Sequence, residues 1–207
     1  MIGLLYKDLL SIKKSMTRVV FVFAIYLVIF AISEDGASFL SAMVVLLSAM
    51  LVMNAFAYDE ISKWNYYALS LPITKRQLVL SRYVLTLIMN LSGFLLAFLP
   101  GLFRNHMSME FVMTVYCVSS VALALMAILL PLLFKFGTQK ARIWIFVICM
   151  IPTVLIFAFN KSGLSFQSVS LSNAAIETAL WFSLPAALLL LVISYFISYA
   201  IMQNKEL

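Results

Sequence analysis

Residues 58–82 read YDEISKWNYYALSLPITKRQLVLSR, the longest interval of the chain that holds no apolar run of membrane length. Six of the twenty-two charged residues fall inside it. Asp59 and Glu60 open the stretch, and Lys75, Arg76 and Arg82 close it. Between them Ile61, Trp64, Ala68 and Leu71 recur at helical spacing, which predicts a short amphipathic helix over 61–71 with one apolar face. Pro72 ends that helix, because its ring removes an amide donor and biases Leu71 out of the helical region. Thr74, with Gln77 three residues later, predicts a capping box that starts a new helix. A hairpin of this kind, hung between apolar flanks, is suited to making a contact on the water side.

Composition fixes what those flanks are. The 207 residues are 65% hydrophobic and 11% charged, with a mean hydropathy of +1.10. Soluble domains run at about 45–50% apolar and about 25% charged. A soluble fold of this length could not hide the difference, so lipid is the expected solvent for much of the surface. The net charge of +6 comes from dispersed basic residues with no aromatic-interleaved patch, which argues against nucleic acid as a partner. Cys117 and Cys149 both sit in apolar runs and read as small buried hydrophobes. No cleavable leader is expected, since residues 1–18 alternate charge with apolar positions.

Working outward, residues 1–18 are expected to form an amphipathic helix at the headgroup layer. Ile2, Leu5, Leu9, Ile12 and Met16 share one face and Lys7, Ser11, Lys14 and Arg18 another. Six transmembrane spans are expected, over about 19–33, 37–57, 83–103, 109–134, 143–160 and 174–202. The fold class is therefore an all-α polytopic membrane protein, one domain over 1–207. Its further parts are the N-terminal interfacial helix and a loop helix between spans two and three. Residues 135–142, KFGTQKAR, read as a brief basic loop stopped by Gly137. Twelve of the fourteen basic residues fall on the side that holds both termini, residues 58–82 and residues 135–142. Only Arg104 and Lys161 lie opposite, so the basic side, with both termini, is expected in the cytoplasm of a cell-membrane protein.

Little in the chain resembles a reaction centre. The single histidine, His106, sits in a short turn with no nucleophile elbow, and no cluster of His, Cys or carboxylates has metal-ligand spacing. The spans lack the buried ionisable groups of ion-driven transporters. No phosphate-binding Gly-x-x-x-x-Gly-Lys-Ser/Thr loop is present, so any uphill work would need a separate ATPase. No catalytic, cofactor-binding or metal residue is expected in this chain.

These features together resemble the membrane subunits of ABC type-2 transporters, especially the short six-span permeases of Gram-positive bacteria. The resemblance covers essentially the whole length. It rests on Leu4-Leu5-Tyr6-Lys7-Asp8-Leu9-Leu10, on the spans, and above all on Asp59-Glu60, Trp64, Ser70-Leu71-Pro72-Ile73, Lys75-Arg76-Gln77-Leu78-Val79 and Arg82-Tyr83. It implies two permeases, identical or paired, side by side above two ATP-binding cassette ATPase subunits that carry ATP and magnesium. The helix after the second span would act as the coupling element, with Asp59, Glu60, Ile61, Trp64, Tyr67, Ala68, Leu71, Pro72, Lys75 and Arg76 as its contact residues. Trp64 would be the apolar anchor, and Arg76 with the Asp59–Glu60 pair would orient it at the polar rim. Related systems export amphipathic peptides, lipids, polysaccharides or drugs, and an amphipathic or antimicrobial peptide suits so apolar a chain. Two alternatives stand beside this. Trp64 and Tyr67 could belong to the aromatic belt at the headgroups, and the chain could be a stand-alone membrane scaffold or immunity protein.

Overall fold

Between Gly3 and Gly36 the sequence has neither glycine nor proline, and the backbone makes one uninterrupted helix, α1 (Ile2–Phe30). The expected interfacial helix and the start of the first span are thus a single rod. The computed structural model describes residues 2–30, 36–64, 67–68, 74–103, 108–161 and 173–204. All regular structure among them is helical: α2 (Gly36–Ile61), α3 (Lys75–Leu96), the five-residue α4 (Leu99–Phe103), α5 (Met109–Lys161) and α6 (Asn173–Gln203) follow α1.

Among the described residues four segments are long and apolar enough to cross a membrane: Phe39–Ile61, Lys75–Leu96, Met109–Ala141 and Leu180–Gln203. They correspond to the second, third, fourth and sixth expected spans. The backbone over 19–30 and 143–160 is helical, but most side chains of the first and fifth expected spans lie outside the described residues. The turns expected at 33–36, 104–108 and 161–173 fall largely outside them as well.

Two boundaries differ from expectation for local reasons. The third span begins at Lys75 rather than Tyr83, because the Thr74 capping box starts the helix there: Gln77 N–H donates to Thr74 Oγ1 and Thr74 N–H to Gln77 Oε1, both at 3.3 Å. It then breaks at residues 97–98, where Pro100 follows and cannot supply an amide to the helix. The basic loop over 135–142 is no loop. Helix continues on both sides of Gly137, which alone leaves the helical region (φ 76°, ψ 174°), so the fourth and fifth segments meet at a one-residue kink inside α5.

Helices α2, α3, α5 and α6 pack together, with α1 laid against α2 and α3. Each buries a stripe at three- and four-residue spacing; on α6 it is Ala187, Leu191, Ser194, Ser198 and Met202. Lipid chains are as apolar as leucine, so burial alone gains little here, and close packing with polar links must supply the association. Both are present. Gly93 lets α3 approach α2 so closely that a Cβ there would lie 2.7 Å from Ser48 Cβ. Tyr83 Oη of α3 lies 2.7 Å from both Ser194 Oγ and Ser198 Oγ of α6. Asn90 of α3 accepts from Ser119 Oγ of α5 at 3.0 Å. Ser41 Oγ of α2 donates to the Ala97 carbonyl at 2.6 Å, at the broken end of α3.

Candidate functional site

The charged end of the bundle is assembled by three helices far apart in sequence. Asp8 lies on α1 with Leu4 and Ile12 on its buried face, at successive intervals of four residues. Asp59 comes from the last turn of α2 and Arg82 from the second turn of α3. Asp8 is 2% exposed and Arg82 4%. Charges so enclosed persist only when paired, and these are. Arg82 Nη2 pairs with Asp59 Oδ2, and Arg82 Nη1 lies 3.1 Å from Asp8 Oδ2 without the alignment of a hydrogen bond. Lys7 Nζ donates to Asp59 Oδ1 at 2.6 Å and lies 3.0 Å from Asp8 Oδ1. Two cations and two anions thus neutralise one another and tie α1, α2 and α3 together.

Aromatic rings roof the cluster. Lys7 Nζ stands 4.2 Å from the centre of the Trp64 ring, and Arg82 Cζ 5.0 Å from that of Phe56. Burial, helped by the positive Arg82, pulls the Lys7 ammonium down to about 8, against the upward pull of Asp8.

The predicted loop helix is arranged differently from expectation. Helix α2 runs on through Ile61 and stops in a turn at Ser62–Lys63, where Lys63 takes a left-handed conformation (φ 49°) of the kind that terminates helices. Ile61 therefore belongs to α2, and Trp64, Tyr67 and Ala68 are helical beyond that turn. The expected outward face of Ile61, Trp64 and Ala68 is divided. Ala68, 1% exposed, joins the core with Leu78, Val79 and Tyr83, and Trp64 packs partly against it. Ile61 (80% exposed) and Tyr67 (66%) point away. The reason is that the apolar stripe 64/68 finds an apolar partner in its own bundle. Asp59 is likewise not at a polar rim but buried in the ion cluster. Leu71 and Pro72 lie outside the described residues. Lys75 Nζ reaches the Gln203 carbonyl at 3.3 Å, and Arg76 is exposed.

Glu60 turns the other way, toward α5. Its Oε2 accepts the Thr138 backbone N–H at 2.7 Å and the Thr138 hydroxyl as well. Beside the cluster an open groove of about 500 Å3 runs between Lys7, Leu10 and Ser11 on α1 and Tyr58, Ile61 and Trp64 opposite. Among the described residues no group of His, Cys, Asp or Glu could hold a metal ion.

Sequence reasoning missed the cluster as a unit. Its signals were an acid, Asp8, at the centre of the Leu4/Ile12 stripe, and an arginine, Arg82, within the apolar run LVLSRYVL. Neither names its partner.

Comparison with curated proteins and with solved structures finds no match. A family model described as ABC-2 family transporter protein matches residues 3–203, nearly the whole chain. With four membrane-length helices among its described residues and a buried ion cluster at one end of them, this multi-pass membrane protein belongs to the ABC-2 family of transporter proteins.

Proposed function

We propose that the chain is the permease subunit of an ATP-driven exporter and docks a separate ATPase through the loop between α2 and α3. The observation that carries this is the division at that loop. Ile61 and Tyr67 stand exposed, Ile61 at the end of α2 that the buried Lys7–Asp8–Asp59–Arg82 cluster ties to α1 and α3. Large exposed apolar side chains are what a partner's pocket can seat, and aromatic anchors of this kind dominate protein contacts. Trp64 then serves to mount the loop rather than to enter the partner, and exposed Arg76 contributes at the rim. The groove beside Lys7 and Trp64 extends the same surface onto α1.

In this scheme ATP and magnesium belong to the partner ATPase. Two permease copies, identical or paired, with six spans each, complete the membrane part. Both termini and the loop face the cytoplasm of the cell membrane, as the distribution of lysine and arginine favours. The cargo is an amphipathic or antimicrobial peptide or a comparably apolar molecule, in keeping with the apolar composition. The competing assignment is a stand-alone membrane scaffold or immunity protein. A tagged chain purified gently from its native host decides between them. An ATP-hydrolysing partner in stoichiometric amount is the expected result, and a chain that purifies without one, from cells still making it at native level, removes the permease reading.

A further inference from the structure

The ion cluster holds α2 to α1 and α3, but the residue next to Asp59 makes a second attachment. Successive residues on a helix point about 100° apart, so Glu60 leaves the same turn toward α5. There it meets the one residue at which α5 is not helical. Gly137 has φ 76° and ψ 174°, a region open essentially to glycine alone. A Cβ at that position would also lie 2.9 Å from Glu60 Oε1. The backbone conformation is what requires glycine; the carboxylate tip, at the far end of a flexible side chain, would have to shift for any larger residue.

The helix that resumes at Thr138 begins with amide groups that have no acceptor within it. Glu60 takes the first of them, Thr138 N–H at 2.7 Å, and the Thr138 hydroxyl with the same oxygen. A carboxylate at a helix N-terminus is favoured by the aligned peptide dipoles. Before the kink, α5 is locked by Leu129, Leu130 and Phe134 in the main cores, and Leu133 beside them is buried. After it, the first-turn residue Thr138 is attached to the end of α2 through Glu60.

We propose that Glu60 is a positioning residue for transport: it clamps the helix that follows Gly137 to the end of α2, so that displacement of the α2–α3 loop turns that helix about the Gly137 hinge. This rests on the permease assignment above for the source of the displacement, while the clamp itself is a property of the isolated chain. Hinges of this type are single positions that absorb the torsional change between two packed bodies. The loop would then act on two helices at once, α3 directly through the Thr74 cap and α5 through Glu60.

The test uses the full-length chain in lipid discs, with Cys117 and Cys149 replaced and spin-label pairs at positions 204/140 and 204/135. The sites at 135, 140 and 204 are exposed; 135 and 140 lie on either side of the hinge, and 204 directly follows α6. Glu60→Ala is expected to widen and shift the 204/140 distance distribution and to leave 204/135 unchanged. Glu60→Gln, whose amide oxygen still accepts the Thr138 amide, is expected to stay close to wild type. Thr138→Pro gives an independent route, because proline suits the first helical position while removing both donors; it should reproduce the alanine result. Unchanged 204/140 distances in both Glu60→Ala and Thr138→Pro, or widening of both label pairs, overturn the clamp. With the ATPase bound, Glu60→Ala should lower transport per ATP hydrolysed severalfold when normalised to the ATPase bound, and Glu60→Gln should restore most of it. Wild-type coupling in the alanine variant would reduce Glu60 to an ordinary helix cap and end the proposal. Failure to find any ATPase partner would instead remove the permease assignment, with the distance pairs still deciding whether the clamp exists.

Discussion

Arg82 of α3 and Asp59 of α2 form a buried ion pair, and Asp8 of α1 closes it from the other side. Removing one member of such a group leaves the opposite charges enclosed without compensation, typically at a cost of about 3–5 kcal/mol. Arg82→Met should therefore depress the thermal midpoint of the detergent-solubilised chain, since Asp8 and Asp59 are left with Lys7 as the one cation between them. Adding Asp59→Asn and Asp8→Asn to Arg82→Met should recover a large part of that loss. Strictly additive effects in the combined variant would mean that the three residues do not act as a unit.

Lys7 offers a chemical readout of the same site. Its ammonium is pulled from 10.5 to about 8 by burial first and by Arg82 second. More free amine is then present near neutral pH than at an ordinary lysine with a pKa of about 10.4. An amine-selective acylating reagent, followed by mass spectrometry, should give a rate profile for Lys7 with a midpoint near 8. The linkage has a defined sign. Between about 8 and 10.5 the folded chain binds fewer protons here than the unfolded chain, so the Lys7 contribution to stability rises with pH across that window. Wild type should accordingly gain thermal stability relative to Lys7→Met over the same interval. A Lys7 midpoint near that of an ordinary lysine would show that the site is more open to water than its packing indicates.

What could be read in the sequence was what is local. The Thr74–Gln77 capping box is decided within four residues and was legible, and Gly137 was legible as an interruption though not as a kink within a continuing helix. The uninterrupted α1 was legible too, in the absence of glycine and proline after Gly3. The ion cluster was not, because residues 8, 59 and 82 meet only once three helices have packed. For the same reason the 64/68 stripe was recognisable as apolar while its partner was not. Periodicity states which face must be covered, and only the tertiary fold states by what.

At the α2–α3 contact the limiting feature is space. A Cβ on Gly93 would fall 2.7 Å from Ser48 Cβ, while the next neighbour, Val45 Cα, stays at an ordinary 3.5 Å. Gly93→Ala should thus destabilise the bundle by about 1–3 kcal/mol, the usual range for overpacking. Ser48→Gly in the same chain removes the obstructing side chain and should restore most of the loss. A double variant no better than Gly93→Ala alone would locate the strain elsewhere than in the Ser48 contact.

The loop residues separate docking from mounting. Tyr67 and Ile61 are exposed and make no part of the cores, whereas Trp64 packs on the core of Ala68 and carries Lys7 over its ring. Tyr67→Ala and Ile61→Ala should therefore leave the thermal midpoint within about 0.5 kcal/mol of wild type, as surface substitutions do. If Tyr67 anchors the ATPase, its truncation should weaken association by about 2 kcal/mol, roughly thirtyfold in affinity. Trp64→Ala should behave oppositely. It removes packing and a cation–π contact, at about 1–3 kcal/mol of stability, and weakens docking only as the loop loosens. The two are resolved by measuring ATPase bound per mole of folded permease beside the melting curve of the same sample. Full association in the Tyr67→Ala, Ile61→Ala double variant would exclude this face as the docking surface. Loss of association by Trp64→Ala at unchanged stability would return the anchor to Trp64 itself.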